Sequence, residues 1–406
     1  MTGRRALAAS GVHEVSGVHG EGLAMESTKT RRNIDLCVSV SPWLLLSVSS
    51  CVLSVLLAAS VAAQGRIANA KMETRSAAQG LEREVRAIAA RSGVSWIGYR
   101  VPMVAGPRQM CCYDTVSDAS NGCCGVCRLD GGGGVSMSTG DRIVNGTRIT
   151  LEPPTDFVVL ARFENGVVSR VRTFTPDCDV DASGAALVWL NDVKPDESVA
   201  WLASIVTAAP DTGTAKDPVA KGALSAVALH NTPAADPALQ SFVAPTRPEW
   251  MRRETAFWLG STRADAGARL LARMIANDPS DKVREQVAFG LSVSKVPAAL
   301  TTLIAAAHDD RSARVRGQAL FWLAQKAGQQ AIATIAGAIE NDPDTEVKKK
   351  AVFALSQMPK DEGVPRLIEV ARTNRNPEVR KQAMFWLGQS KDPRALKFFE
   401  DVLLKR

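Results

Sequence analysis

The stretch Val315–Ala324, VRGQALFWLA, decides the fold of this chain, because it recurs four more times at one spacing. The other copies are MRRETAFWLG from Met251, VREQVAFGLS from Val283, VKKKAVFALS from Val347 and VRKQAMFWLG from Val379. Each copy starts 32 residues after the copy before it. Self-similarity at a fixed period of this length indicates a solenoid, in which each repeat packs against its neighbours along the chain.

Each unit predicts two helices. In the quoted copy the apolar residues follow the spacing i, i+4, i+7 and i+8, which is one face of a helix; they are Val315, Ala319, Trp322 and Leu323. After a short break a second helical stretch follows, such as QQAIATIAGAIEN, and Asp342-Pro343 then starts the next unit with a capping residue and a proline. We therefore predict an all-α, right-handed solenoid. The predicted repeat core is the recurring pair Phe257 and Leu259, Phe289 and Leu291, Phe321 and Leu323, Phe353 and Leu355, and Phe385 and Leu387.

The pattern V-R-x-x-A followed by Phe and Leu resembles the HEAT-repeat family, specifically the short bacterial HEAT-like type named after phycobilisome lyases. The resemblance covers roughly residues 217–406. It implies stacked helical hairpins that bind proteins. Some members of the family attach bilins or hydroxylate a lysine derivative with paired His-Glu motifs. The His-Glu pair of this chain is His13-Glu14, in the leader, so a metal-dependent hydroxylase is not expected. A lyase-type enzyme stays open as an alternative.

The organisation predicted from these patterns is α+β overall, with a small β-rich, cysteine-containing domain before the solenoid. A degenerate repeat at about 217–248 precedes five clear repeats that start at about 249. The predicted boundaries are 1–63 for a leader and export signal, 64–94 for a helical segment, 95–193 for the β-rich domain and 194–406 for the solenoid.

Residues 1–63 are expected to be a leader and signal peptide rather than part of the fold. Two arginines precede a long apolar, uncharged run, and Val61 and Ala63 suit a signal peptidase that cuts before Gln64. The alternative is an uncleaved signal anchor, because residues 43–63 are about long enough to span a bilayer. Either way we expect the rest of the chain to be exported, periplasmic or extracellular, with a membrane contact only if the signal is retained.

The middle of the chain changes from a helical to a strand pattern. Residues 64–94 are predicted to be helical, since Leu81 and Ile88 share one helical face. Within residues 95–193, DFVVLARF and VVSRVRTF flank an Asn-Gly pair at 165–166, a strong hairpin signal because both turn residues tolerate positive φ. The run AALVWL reads as a third strand.

Six of the eight cysteines lie in this β-rich region. The disulfide candidates are Cys111, Cys112, Cys123, Cys124, Cys127 and Cys178. An even set in an oxidising compartment favours three disulfides, whose pairing the sequence leaves open. The spacing from Cys124 to Cys127 also fits half a zinc site or an exchangeable thiol pair. A redox- or metal-linked function of this module is therefore the alternative to simple covalent staples.

The basic residues of the repeats suggest a partner surface. The formal net charge is +7, and the residues from Glu249 onward carry the whole excess. Such a field suits an acidic protein partner but falls short of a nucleic-acid-binding signature. The partner-binding candidates are Arg252, Arg284, Arg316, Lys348, Lys349, Lys350 and Arg380. The alternative is structural pairing of these residues with acidic neighbours such as Asp281, Asp309, Glu346 or Glu378.

The tryptophans of the repeats alternate with small residues. Trp258, Trp322 and Trp386 occur in every second unit, and Gly290 and Ala354 take their place between them. They form either an aromatic ladder for a ligand or an interlock of large and small residues between stacked helices, and close packing favours the interlock. The sequence thus predicts an exported, non-catalytic scaffold or adaptor that binds a protein, with no catalytic, cofactor or metal residues.

Overall fold

The structure is a computed structural model that describes residues 66–106, 109–112, 127–131, 135–138, 142–144, 147–149, 152–211 and 217–404. The predicted leader and signal segment lie outside the described residues. Within the described ranges, no helix is both long and apolar enough to cross a membrane.

Among its described residues, the N-terminal part is a module of short strands with one helix. Its strands are β1 (Arg66–Ala68), β2 (Lys71–Ser76), β3 (Val94–Pro102), β4 (Gln109–Cys112), β5 (Cys127–Arg128), β6 (Val135–Ser138), β7 (Arg142–Val144), β8 (Thr147–Ile149), β9 (Asp156–Glu164), β10 (Val167–Phe174), β11 (Asp179–Asp181) and β12 (Ala186–Asn191), and its helix is α1 (Leu81–Ala89). We call this part the β module.

The rest of the described chain is helical. The helices are α2 (Pro195–Ala208), α3 (Pro218–Leu229), α4 (Ala235–Phe242), α5 (Glu249–Thr262), α6 (Ala264–Asn277), α7 (Asp281–Val293), α8 (Pro297–Asp309), α9 (Ala313–Ala327), α10 (Gln329–Asn341), α11 (Thr345–Ser356), α12 (Lys360–Thr373), α13 (Pro377–Gln389) and α14 (Pro393–Leu404). The five clear repeats are the successive pairs from α5/α6 to α13/α14. We call α5, α7, α9, α11 and α13 the first helices, and their partners the second helices.

The β module is built around a five-stranded sheet in the order β10-β9-β3-β12-β2. Strand β12 runs parallel to both its neighbours, whereas β3, β9 and β10 form an antiparallel meander. The β9–β10 hairpin turns at Asn165 and Gly166, which both have positive φ, as the Asn-Gly signal predicted. A smaller parallel sheet, β1-β11-β5, and the two pairs β4-β6 and β7-β8 complete the module.

The helix predicted over residues 64–94 is wrong in its first part. Among the described residues of this range, Leu81–Ala89 is the helical part, while Lys71–Ser76 is an edge strand paired along its length with β12. None of the six residues of the strand KMETRS is fully buried, as is typical of an edge strand, and its partner lies more than 100 residues further along the chain. This strand pairing is a long-range contact, so the local sequence pattern does not predict it.

The sheet separates two hydrophobic cores. Alternate residues such as Tyr99 and Phe157 face the helices α1 to α4, in a core that continues without a break to Phe398 in the last helix. The other face, with Trp96 and Trp189, packs on the small sheet and the cysteines. The β module and the solenoid therefore share one core, and α3 lies directly on β10, where a Cβ on Gly222 would come within 2.4 Å of a backbone oxygen.

The two rows of helices differ in how closely they pack. Neighbouring first helices pack against one another more closely than neighbouring second helices do. At the crossing of α5 and α7 a Cβ on Gly260 would lie only 2.0 Å from the carbonyl oxygen of Gly290, so the two backbones touch. In a curved array the row with the closer neighbours lies on the inner side, so we infer that the first helices form the inner side.

Candidate interaction surface

Three of the predicted partner-binding arginines are buried in ion pairs. Arg252, Arg284 and Arg316 are 6%, 1% and 9% exposed. Each donates two hydrogen bonds to one aspartate that caps the second helix of the same unit; the pairs are Arg252 with Asp278, Arg284 with Asp310, and Arg316 with Asp342. We call these three pairs the Arg–Asp ladder.

Each rung of the ladder also joins neighbouring units. Arg284 Nε and Nη2 lie 2.9 and 3.1 Å from the two carboxylate oxygens of Asp310, and Arg284 Nη1 donates to the backbone carbonyl of Asp278 at 2.8 Å. That carbonyl belongs to the end of the preceding unit. The arginine stands in the first turn of a helix, where a cation is unfavourable, but it contacts the carboxyl end of another helix, where a cation is favourable.

In the third rung, contacts between Arg316 and Asp342 keep both side chains charged despite their burial. Burial disfavours the charged form of Asp342, but hydrogen bonds from Arg316 and from the backbone N–H of Asp344 outweigh it and lower the pKa of Asp342. The carboxylate in turn raises the pKa of Arg316. Both members therefore stay charged, as a satisfied buried pair requires.

The fourth unit lacks this rung. Lys348 and Asn374 occupy the positions of the arginine and the aspartate. Lys348 donates to the backbone oxygen of Glu340, and Asn374 donates from its amide to the Glu340 carboxylate at 2.9 Å. The arginine and the aspartate are both replaced in this unit, so the ladder ends before it.

These contacts correct the prediction for three of the seven basic partner-binding candidates. Arg252, Arg284 and Arg316 cannot meet a partner, and their acidic partners are not Asp281 or Asp309. These pairs were not predicted from the sequence because 26 residues separate the two members. The first and last residues of a helical hairpin meet only when the hairpin folds. The shared 32-residue period of the arginines and the aspartates was the signal that could have found them.

The remaining basic candidates differ in exposure. Lys349 is half-buried and forms an ion pair with Glu346 at 2.9 Å. Arg380 is half-buried and donates to the carbonyl oxygens of Asn374 and Arg375. Lys350 is exposed.

The recurring Leu and Phe of the repeats face different ways. All five leucines are at most 1% exposed and form the repeat core. The phenylalanines are half-buried, and Phe385 is 54% exposed. They form a continuous line across the solvent-facing side of the first helices. We call this line the aromatic row: Phe257, Phe289, Phe321, Phe353 and Phe385.

Stacked rings make the aromatic row continuous. Phe257 and Phe289 stack with centroids 5.7 Å apart, and Phe321 and Phe353 stack at 5.8 Å. Trp322 closes the gap between these two pairs, 4.6 Å from Phe289 and 4.9 Å from Phe321. The rings of successive units therefore touch along the row.

The tryptophans pack where the neighbouring unit has a small residue. Trp322 lies on Phe289, whose next residue is Gly290, and Trp386 lies on Phe353, whose next residue is Ala354. The indole nitrogens of Trp258, Trp322 and Trp386 are buried without a hydrogen-bond partner in the described part of the chain. Their contribution is apolar contact area, as the interlock interpretation expects.

Glutamines border the aromatic row on both sides. One helical turn before the row stand Gln286, Gln318 and Gln382, and one turn after it stand Gln325, Gln357 and Gln389. We call these the two glutamine rows. Their side chains are half-buried in the first row and exposed in the second. Gln357 donates to Ser356, whereas the other five amides form no hydrogen bond with any described residue.

A buried hydrogen-bonded chain fastens the β module to the solenoid. His230, which caps the end of α3, bonds through Nδ1 to the Ala226 carbonyl at 2.7 Å and through Nε2 to Ser198 Oγ at 2.9 Å. A carbonyl only accepts, so Nδ1 carries the proton, Nε2 accepts from Ser198, and Ser198 accepts from the Tyr99 hydroxyl at 2.8 Å. Burial lowers the pKa of His230 to about 4 and raises that of Tyr99.

The three cysteines whose side chains are described are all in disulfides. Cys111 and Cys178 form one across 67 residues, and Cys127 is also disulfide-bonded. The buried Arg172 donates to the backbone oxygens of Arg128 and Leu129 beside Cys127. Among the described residues no group of His, Cys, Asp or Glu is placed to hold a metal. The candidates Cys123 and Cys124, and the side chain of Cys112, lie outside the described part.

The comparisons with known proteins bear on the helical part. A family model described as HEAT repeats matches residues 300–373 and again 332–406. A search of curated proteins finds no match. The solved structure of human deoxyhypusine hydroxylase in complex with glycerol is 14% identical, with a TM-score of 0.23 over 52% of this chain and 91% of that chain. A likeness at that level assigns neither a fold nor an activity. Residues 300–406, within the C-terminal half of the chain, therefore match HEAT-like repeats.

Proposed function

We propose that this chain is an exported, non-catalytic scaffold that binds a protein partner through the aromatic row and the two glutamine rows. The observation that carries the proposal is that this face combines touching aromatic rings with amides that have no partner in the described structure. Aromatic side chains are enriched at the centres of protein interfaces. Repeat arrays bind through such long surfaces on their inner side.

The proposal does not require an acidic partner, because the arginines of the ladder are buried. A non-catalytic role is supported by the position of Ser198 and His230, which are both 0% exposed inside the core, out of reach of a substrate. Export is supported by the signal-like run before Gln64 and by the disulfide between Cys111 and Cys178, which fits an oxidising compartment.

A photo-crosslinking amino acid tests the surface. We would place p-benzoylphenylalanine at Gln318, a half-buried residue on the inner side, and, as the control, at Gln330, an exposed residue on a second helix. We expect one defined protein adduct from the first position and none from the second. Adducts only from Gln330, or equal labelling from both positions, would contradict the proposal.

The compartment is tested separately. N-terminal sequencing of the protein recovered outside the cytoplasm should give a chain that begins at Gln64. Recovery of the protein only from the cytoplasm, with reduced Cys111 and Cys178, would refute export and leave the crosslinking result untouched.

A further inference from the structure

We propose that the aromatic row and the glutamine rows bind an extended, uncharged polypeptide segment, so that the rings hold apolar side chains and the amides bond to its backbone. This inference rests on the proposed function and adds the chemistry of the partner. It follows from the composition of the face, from its length and from the amides that the fold leaves unused.

The dimensions of the face suit a short extended segment. The rows run across the first helices, so a segment that follows them crosses one helix in each of the five units. Packed helices lie about 8–10 Å apart, so the four steps from Phe257 to Phe385 cover about 32–40 Å. An extended chain rises about 3.3 Å per residue, which corresponds to about 10 to 12 residues.

The amides match the chemistry of a peptide backbone. A glutamine side chain carries both a donor and an acceptor, as each peptide group does. A backbone that is pressed onto the aromatic row loses water from its N–H and C=O groups, and these groups must then find protein partners. Five glutamines without hydrogen bonds to the described residues stand one helical turn from the rings, within reach of such a backbone.

The charges beside the rows favour a neutral segment. In the first unit the glutamine position holds Glu254, which Lys221 neutralises at 3.3 Å. In the fourth unit it holds Lys350, which is exposed. Between these ends Gln286 and Gln318 present no charge, so an acidic or basic segment would lose hydration there without gaining an ion pair.

An amphipathic helix suits this face less well than an extended segment. The backbone groups of a helix are already bonded to one another, so a docked helix would cover the glutamine amides without pairing them. A helix also prefers a groove between two ridges, whereas Trp322 fills the gap between the two stacked pairs and makes the row a continuous ridge.

Selection from a displayed library tests the proposed chemistry directly. We would select random peptides about 12 residues long against the whole chain with its disulfides intact, and measure the affinity of the best synthetic peptide. We expect peptides rich in apolar residues and without net charge. Enrichment of acidic peptides whose binding is lost in Lys350→Ala would overturn the inference.

Matched substitutions then test the amides. The test variant is Gln286→Glu/Gln318→Glu/Gln382→Glu. The control carries the same change of charge at exposed glutamines away from the face, Gln240→Glu/Gln329→Glu/Gln330→Glu. We expect the test variant to lose at least about tenfold in affinity, which is about one backbone hydrogen bond, and the control to bind normally.

Backbone methylation separates bonding to amides from simple apolar contact. Methylating alternate backbone nitrogens of the selected peptide should abolish binding to the native chain. Unchanged binding of the methylated peptide, or equal affinity of the two triple variants, would overturn the inference. If photo-crosslinking at Gln318 still gives a defined adduct in that case, the proposed function stands and the segment chemistry is wrong; if it gives none, both fall.

Discussion

Replacing Asp310 by asparagine removes one charge from the centre of the Arg–Asp ladder and changes little else. The side chain keeps its size. Its remaining oxygen can still accept the hydrogen bond from the Ser312 backbone N–H, which is 2.8 Å long in the native chain. What it loses is the negative charge that faces the guanidinium of Arg284. That guanidinium is 1% exposed, so water cannot take the place of the carboxylate.

The expected cost follows from this burial. Breaking a buried ion pair by removing one partner costs about 3–5 kcal/mol, because the other charge is left uncompensated. Retention of the backbone hydrogen bond and of the Asp278 carbonyl contact to Arg284 places Asp310→Asn at the lower end, about 3 kcal/mol. The free energy of unfolding of a typical protein is about 5–15 kcal/mol, so a loss of this size is a large fraction of it.

The neighbouring residue supplies a matched control. Asp309 differs from Asp310 by one position in the chain, but its side chain is 70% exposed and contacts the equally exposed His308. Asp309→Asn should therefore change the free energy of unfolding by no more than about 0.5 kcal/mol.

Urea unfolding of the two variants, followed by circular dichroism and tryptophan fluorescence, measures both values. The two probes are needed because repeat arrays can unfold in parts. If Asp310→Asn costs less than about 1 kcal/mol, or no more than Asp309→Asn, the ladder does not hold the units together as argued.

Three further outcomes follow from the same contacts. Lys348→Arg with Asn374→Asp should rebuild the missing rung, so the double variant should be about 1–2 kcal/mol more stable than the two single changes add up to; simple additivity in urea unfolding would contradict this. Burial lowers the pKa of His230 to about 4, so the unfolded chain takes up a proton at a higher pH than the folded chain does. The free energy of unfolding should therefore fall by about 3 kcal/mol between pH 6.5 and 4, and a His230→Gln variant should not show this fall in its urea midpoint. Removing both Cys111 and Cys178 opens a loop of 67 residues and should cost about 4 kcal/mol in the oxidised protein, a difference that must vanish under reducing conditions.

The helical array was predictable because its determinants are local. The 32-residue period, the apolar face of each first helix and the capping residues before each unit all lie within one repeat, and the helices form where these patterns indicate. The spacing within a unit could also have shown which of the predicted core residues are buried. Phe257 and Leu259 are two residues apart, which places them on nearly opposite sides of a helix, so only one of them can face inward.

The β module resisted prediction because its contacts join distant parts of the chain. Strand β2 pairs with β12, and the chain from Tyr99 through Ser198 to His230 closes across three separate elements. Nothing near Lys71 in the sequence signals a partner more than 100 residues away. The hairpin at Asn165 was found because its signal lies in the turn itself.

The proposed binding surface agrees with the distribution of buried and exposed positions in the repeats. Positions that hold the array together are buried, such as Leu323, or paired, such as Arg316. Phenylalanine recurs at one position in all five units although none of the five is fully buried, and Phe385 keeps it with more than half of its surface exposed. Contacts between units account for the first four rings, whereas the described ring contact of Phe385 is with Trp386 of its own helix. A large ring that stays exposed while Leu387 of the same helix is buried is what the proposed binding surface requires.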